Sequence, residues 1–138
     1  MKFEIGKGIL MQEGTDVTIV ATGHLVWESL VAAEELAKEG ISCEVINIHT
    51  IKPLDEEIIL KSVEKTGKIV TAEEHNYLGG LGESVAGVLA RRRPTPQEFV
   101  AVHDTFGESG TPAELMKKYE IDADAVVKAV KKIIERTK

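Results

Sequence analysis

Four histidines, His24, His49, His75 and His103, each follow a short apolar run rich in β-branched residues. An imidazole at a strand end can exchange a proton near neutrality, ligate a metal or bind an anion. The stretch TAEEHNYLGGLGES, residues 71–84, adds the adjacent carboxylates Glu73 and Glu74 and the glycines Gly79, Gly80 and Gly82, directly before a helical pattern. Glycines at a helix start leave backbone N–H groups open, and the helix dipole favours negative charge there. Thr22 and Gly23, beside His24, precede a second helical pattern in the same way. One reading is a small-anion or substrate crevice built from Thr22, Gly23, His24, His75, Gly79, Gly80 and Gly82. The other is a set of ordinary strand-to-helix turns in which polar residues satisfy loose backbone groups.

The spacings argue against the sharper alternatives. No HxxH, HxxxH or Cys/His pattern suits a metal, and the glycines match neither GxGxxG nor GxxxxGK[ST]. No lysine lies in the glycine loop, and Glu73, Glu74 and Glu83 bring negative charge to the place an anion would occupy. Glu74 and His75 are neighbours on an extended segment and point to opposite faces, which weakens them as an acid/base pair. No GxSxG marks a nucleophile. No motif here marks a catalytic, cofactor-binding or metal-binding residue.

The elements that must position these residues are legible from periodicity. VTIVA (17–21), EVINI (44–48), KIVTA (68–72) and EFVAV (98–102) fit strands buried on both faces. Between them, Val26, Leu30, Ala33 and Ala37 form one helical stripe, and Leu54, Ile58, Ile59 and Val63 a second, stopped by Gly40 and Gly67. Trp27 falls outside the first stripe, which leaves partial exposure at an interface and packing in the core as equal alternatives. Asp55 is a plausible N-cap, and Thr111, Pro112 and Glu114 form a capping box. A last helix, introduced by Asp122, carries Val126, Val127, Val130, Ile133 and Ile134 on its apolar face. GKGILMQEG offers an extra short strand whose partner is not readable. Strand starts recur at the length of a βαβ unit, so the expected fold is an α/β three-layer sandwich with a mostly parallel sheet of about five strands, all histidines lying at its carboxyl edge.

Length and composition bound the function. The 138 residues suit a single domain, 1–138, with 43% hydrophobic and 29% charged residues. A net charge of −6 disfavours nucleic acid and anionic membranes, and Arg91, Arg92 and Arg93 are the one basic cluster. Cys43 is alone in an apolar run, which suggests a buried thiol in a reducing compartment, with cytoplasm the default. No window suits a signal peptide or a membrane span.

EGTDVTIVATG (13–23), the stretch from Leu36 to Asp55 with KEGI, CEVIN and TIKPLD, IVTAEEHNYLGGLGESVA (69–86) and FGESGTPAELMKKY (106–119) together closely resemble the C-terminal domain of transketolase. The resemblance covers nearly the whole chain, most closely the short C-terminal half of transketolases encoded as two polypeptides. Related domains end the β subunits of 2-oxo acid dehydrogenases, which associate with an α subunit and a lipoyl carrier, and deoxyxylulose-phosphate synthase; FGESGTPAEL favours transketolase. The resemblance implies that thiamine diphosphate and Mg²⁺ serve the complete enzyme but are held by other domains. No GDG motif occurs here, so no family catalytic residue carries over. It implies partnership with the N-terminal thiamine-diphosphate-binding part, a homodimer, and no activity alone; a free-standing small-anion-binding module is the alternative.

Overall fold

The computed structural model describes residues 7–49, 53–74, 80–102 and 111–138, apart from the side chains of Tyr119 and Ile121. Strands β1 (Ile9–Gln12), β2 (Val17–Ala21), β3 (Cys43–Asn47), β4 (Ile69–Glu74) and β5 (Gln97–Val102) alternate, from β2 onward, with helices α1 (Leu25–Ala37), α2 (Glu56–Thr66), α3 (Leu81–Arg92) and α4 (Pro112–Arg136). They form one sheet in the order β1-β3-β2-β4-β5, in which only the β1–β3 pair is antiparallel. This is the expected α/β sandwich.

The order of the strands decides where each helix lies. The chain steps from β2 to β3 in one direction, then passes back over β2 to reach β4, and continues outward to β5. Right-handed crossovers require helices on opposite faces when the direction of stepping reverses. Accordingly α1 and α4 cover one face, packing on Val17, Ile19, Ala21, Val45 and Val70. Helices α2 and α3 cover the other, on Val20, Ile46 and Ile69. The strict alternation of β2 between the two cores explains why its five residues read as one continuous apolar run.

Several local signals act through the mechanism their residue types imply. The Asp55 carboxylate accepts from the Ile58 amide at 3.3 Å and caps α2, while Gly67 closes that helix in the left-handed region at φ 76°. Thr111 Oγ1 accepts from the Glu114 amide at 3.1 Å, with Pro112 following the cap. Cys43 is buried, and desolvation pushes its thiol up to about 12, so it is inert. The extra strand at the N-terminus pairs with β3, its sequence-distant neighbour, and Gly14 explains the approach. A Cβ there would lie 2.1 Å from the Cys43 carbonyl carbon, while its amide donates to Glu44 at 3.1 Å.

Two expectations are corrected. Asp122 does not introduce a helix: α4 starts at Pro112 and runs 25 residues straight through it. The reason is Lys118, one turn earlier, whose ammonium lies 2.7 Å from the Asp122 carboxylate with both side chains buried. An aspartate paired at i−4 is a helix-interior residue and is not free to cap. The buried face of α1 is also wider than the expected stripe. Val26, Leu30 and Ala33 meet the core as expected, Leu25, Ser29, Ala32 and Leu36 join them because α1 is wedged between the sheet and α4, and Ala37 alone of the stripe is exposed.

Candidate functional site

Strands β2 and β4 are neighbours, yet the helices that follow them leave to opposite faces of the sheet. Such a reversal opens a crevice beyond the carboxyl ends of the two strands, the general ligand position of open α/β sheets. Into it project His24, just after β2, and Glu74, the last residue of β4, with His24 Nδ1 2.7 Å from Glu74 Oε1. The pair is partly exposed, at 38% and 19% of the side chains. With Nδ1 donating to the carboxylate, Nε2 is left to accept a hydrogen bond or take a second proton. An imidazole oriented this way can hold a ligand's hydroxyl or relay a proton, and among the described residues no serine or threonine hydroxyl and no cysteine thiol is bonded to it.

Besides the His24 side chain, backbone hydrogen bonds stitch the loop entering α1 to the sheet and to the helix. The Thr22 amide donates to the Ala72 carbonyl at 3.3 Å, and the carbonyls of Thr22, Gly23 and His24 accept from the amides of Leu25, Val26 and Trp27 at 3.1, 3.2 and 3.1 Å. Gly23 sits at φ 57°, which only glycine adopts without strain. The first amides of α1 are therefore already engaged in a tight turn.

At α3 the protein supplies its own anion. The Glu73 carboxylate accepts from the amides of Leu81 at 3.1 Å and Gly82 at 2.6 Å, at the buried start of the helix. A carboxylate at that place satisfies both the unpaired N–H groups and the helix dipole. Gly82 is glycine for space: a Cβ would meet the Phe99 ring at 2.5 Å and Glu73 Oε2 at 2.9 Å.

Of the residues singled out from the sequence, Thr22, Gly23 and His24 come together at the crevice, with Glu74 as the addition. Gly80 and Gly82 sit at the α3 start around Glu73. His49 lies half-buried beyond β3. His75, Gly79 and His103, with Phe106 and the rest of residues 103–110, fall outside the described residues. Sequence reasoning missed the His24–Glu74 pair because its members are fifty positions apart and meet only through the β2–β4 adjacency. Both do stand at the carboxyl ends of strands, and that signal was available. Among the described residues no three His, Cys, Asp or Glu side chains gather as a metal site.

One turn into α1 from His24, Glu28 is 1% exposed and neither carboxylate oxygen has a hydrogen-bond partner. Burial pushes its pKa above the usual 4.5, a shift that Asp122 strengthens and that its own backbone amide, His24 and Lys118 oppose. The folded state thus prefers the protonated acid. Its contribution to stability is complete below the unfolded pKa and is lost as pH rises through the raised folded value. Glu28→Met is expected to gain about 1 kcal/mol near pH 8, the scale of relieving a buried unpaired polar group. The gain should vanish toward pH 4, as read by urea unfolding across that range. An equal effect at both pH values would contradict this account.

Residues 6–126 match the family described as the transketolase C-terminal domain. The chain belongs to that family. Among its transketolase relatives, the 6-deoxy-6-sulfo-D-fructose transketolase subunit of a Clostridium species is 48% identical over 135 residues, 98% of this chain and 42% of the relative. A putative transketolase C-terminal section of Methanocaldococcus jannaschii is 44% identical over 93% of this chain and 40% of its own length. A solved split-gene transketolase, described as an inactive beta4 tetramer, superposes with a TM-score of 0.84 at 46% identity, over 98% of this chain and 44% of that one. The chain spans about two-fifths of the length of the curated relatives it matches.

Proposed function

We propose that this domain serves a transketolase, in which a two-carbon ketol unit passes between sugar phosphates on thiamine diphosphate held by neighbouring protein. Its role is to support assembly and dimerisation of that enzyme. The observation that carries this reading is the asymmetry of coverage: nearly all of this chain matches less than half of relatives named as transketolase sections or subunits. Those names also favour transketolase over a 2-oxo acid dehydrogenase β subunit or deoxyxylulose-phosphate synthase.

The coenzyme supplies the electron sink for such chemistry when bound. The described residues do not fit it. The amides of Leu25, Val26 and Trp27 are taken by backbone carbonyls and those of Leu81 and Gly82 by Glu73, which removes five of the donors a diphosphate would use. The small-anion reading of Thr22, Gly23, His24, Gly80 and Gly82 is weakened on the same ground, which leaves the His24–Glu74 pair as the polar feature of the crevice.

Purified chain supplied with thiamine diphosphate, Mg²⁺, a ketose phosphate and an aldose phosphate is expected to show no ketol transfer above the protein-free rate. Supplying its cofactor-binding partner is expected to give a complex by size-exclusion chromatography, and turnover. Measurable turnover by the chain alone would overturn the proposal, as would a failure to associate.

A further inference from the structure

The outer face shared by α1 and α4 carries apolar side chains that the fold does not use. Trp27 is 66% exposed and Met116 65%, with Val31 beside them, and the three line a groove of about 190 Å³ whose remaining walls are Glu28 and Glu120. Soluble chains seldom leave a tryptophan and a methionine open side by side unless something covers them. The groove continues between the two helices: Val31 and Glu120 also line the next stretch, together with Glu35, Glu39, Asp124 and Lys131. On α1 the lining positions Trp27, Val31 and Glu35 recur every fourth residue, a gently inclined row of about 12 Å at 1.5 Å per residue, and Glu39 continues the lining in the turn that follows the helix.

Carboxylates outnumber ammonium groups among the lining residues, and most of them already have a lysine: Glu35 faces Lys38 at 3.8 Å, Asp124 faces Lys128 at 3.0 Å and Glu39 faces Lys131 at 2.9 Å. Glu120 stands at the junction of the apolar and acidic stretches and has no ion-pair partner among the described residues. An uncharged or acidic occupant would leave that side chain without a counter-charge, whereas a cation would satisfy it and stack on the Trp27 face.

We propose that this groove is the docking site for a basic amphipathic helix of a partner polypeptide. About two to three turns match its length, a long apolar side chain covers Trp27, Val31 and Met116, and a lysine or arginine faces Glu120. The inference rests on the reading that the domain works inside a larger assembly, but its test does not depend on enzyme activity.

Trp27 is the only tryptophan in the chain, so its emission reports this groove alone. The probe is an amphipathic leucine–lysine peptide without aromatic residues, with a leucine–glutamate peptide of the same pattern as control. The lysine peptide is expected to blue-shift Trp27 emission saturably, with binding that weakens as salt rises, and Glu120→Lys is expected to weaken it roughly five- to tenfold. Circular dichroism of the variant would show the fold intact, since position 120 is exposed. An unchanged emission, an equal response to the glutamate peptide, or undiminished binding by Glu120→Lys would each overturn the proposal. Transketolase assembly and turnover could still stand in that event, so the two readings fail separately.

Discussion

Replacing Lys118 by methionine is expected to destabilise the domain by about 3–5 kcal/mol, the scale for removing one partner of a buried ion pair. Lys118 is 5% exposed and Asp122 4%, their charged atoms 2.7 Å apart at the α1–α4 contact. Methionine keeps the length and apolar stem of lysine, so packing is largely retained and the loss is electrostatic. It leaves the Asp122 carboxylate buried beside Glu28, whose own acidity the two residues already influence in opposite senses. Lys118→Met/Asp122→Leu removes the orphaned charge and is expected to recover most of the loss. Urea unfolding of the two variants checks this, and a single variant within about 1 kcal/mol of the parent would refute it.

The second expected result concerns Glu73. Truncation to alanine removes the acceptor of two buried amides at the start of α3 and should cost about 2 kcal/mol, between the effect of a lost cap and that of two unpaired donors. It also empties a place shaped for an anion. Sulfate or phosphate is therefore expected to raise the melting temperature of Glu73→Ala more than that of the parent, with a dependence on concentration that saturates as a binding site does. Parallel responses of the two proteins to sulfate would mean that the helix start has no anion affinity once the carboxylate is gone. This experiment also separates the two readings of the glycine loop. If Gly80 and Gly82 form a cradle at all, it is one the protein fills itself.

The histidines and glycines that first suggested chemistry divide along the same line. Strand existence, helix existence and the carboxyl-edge placement of His24 and His49 were legible because continuous apolar runs and Gly, Asp and Thr stop and start signals act within a few residues of themselves. The capping of α2 by Asp55 and of α4 by Thr111 is local in this sense. Asp122 misled because an aspartate before an apolar stripe is equally consistent with a cap and with an i−4 partner of lysine. Only the burial of Lys118 by α1 decides between them. The position of Trp27 off the apolar stripe left exposure and core packing equally open, and the structure decides for exposure; of the stripe itself, Val26, Leu30 and Ala33 meet the core and only Ala37 does not.

What the linear order of residues determined is therefore the inventory: an α/β sandwich, its strands and helix ends, and membership in a transketolase family recorded in motifs spread over nearly the whole chain. What only the tertiary structure decided is who meets whom. The β3-β2-β4 order joins His24 to Glu74, turns Glu73 back onto α3, and lays α1 against α4 so that Lys118, Asp122 and Glu28 share one buried site. The His24–Glu74 pair and the meeting of Glu28 with Lys118 and Asp122 join residues far apart in the chain, through a strand order set by crossover handedness and by the burial of both sheet faces at once. Glu73 with Leu81 and Gly82, and Lys118 with Asp122, are close in sequence, but their burial is a property of the assembled layers.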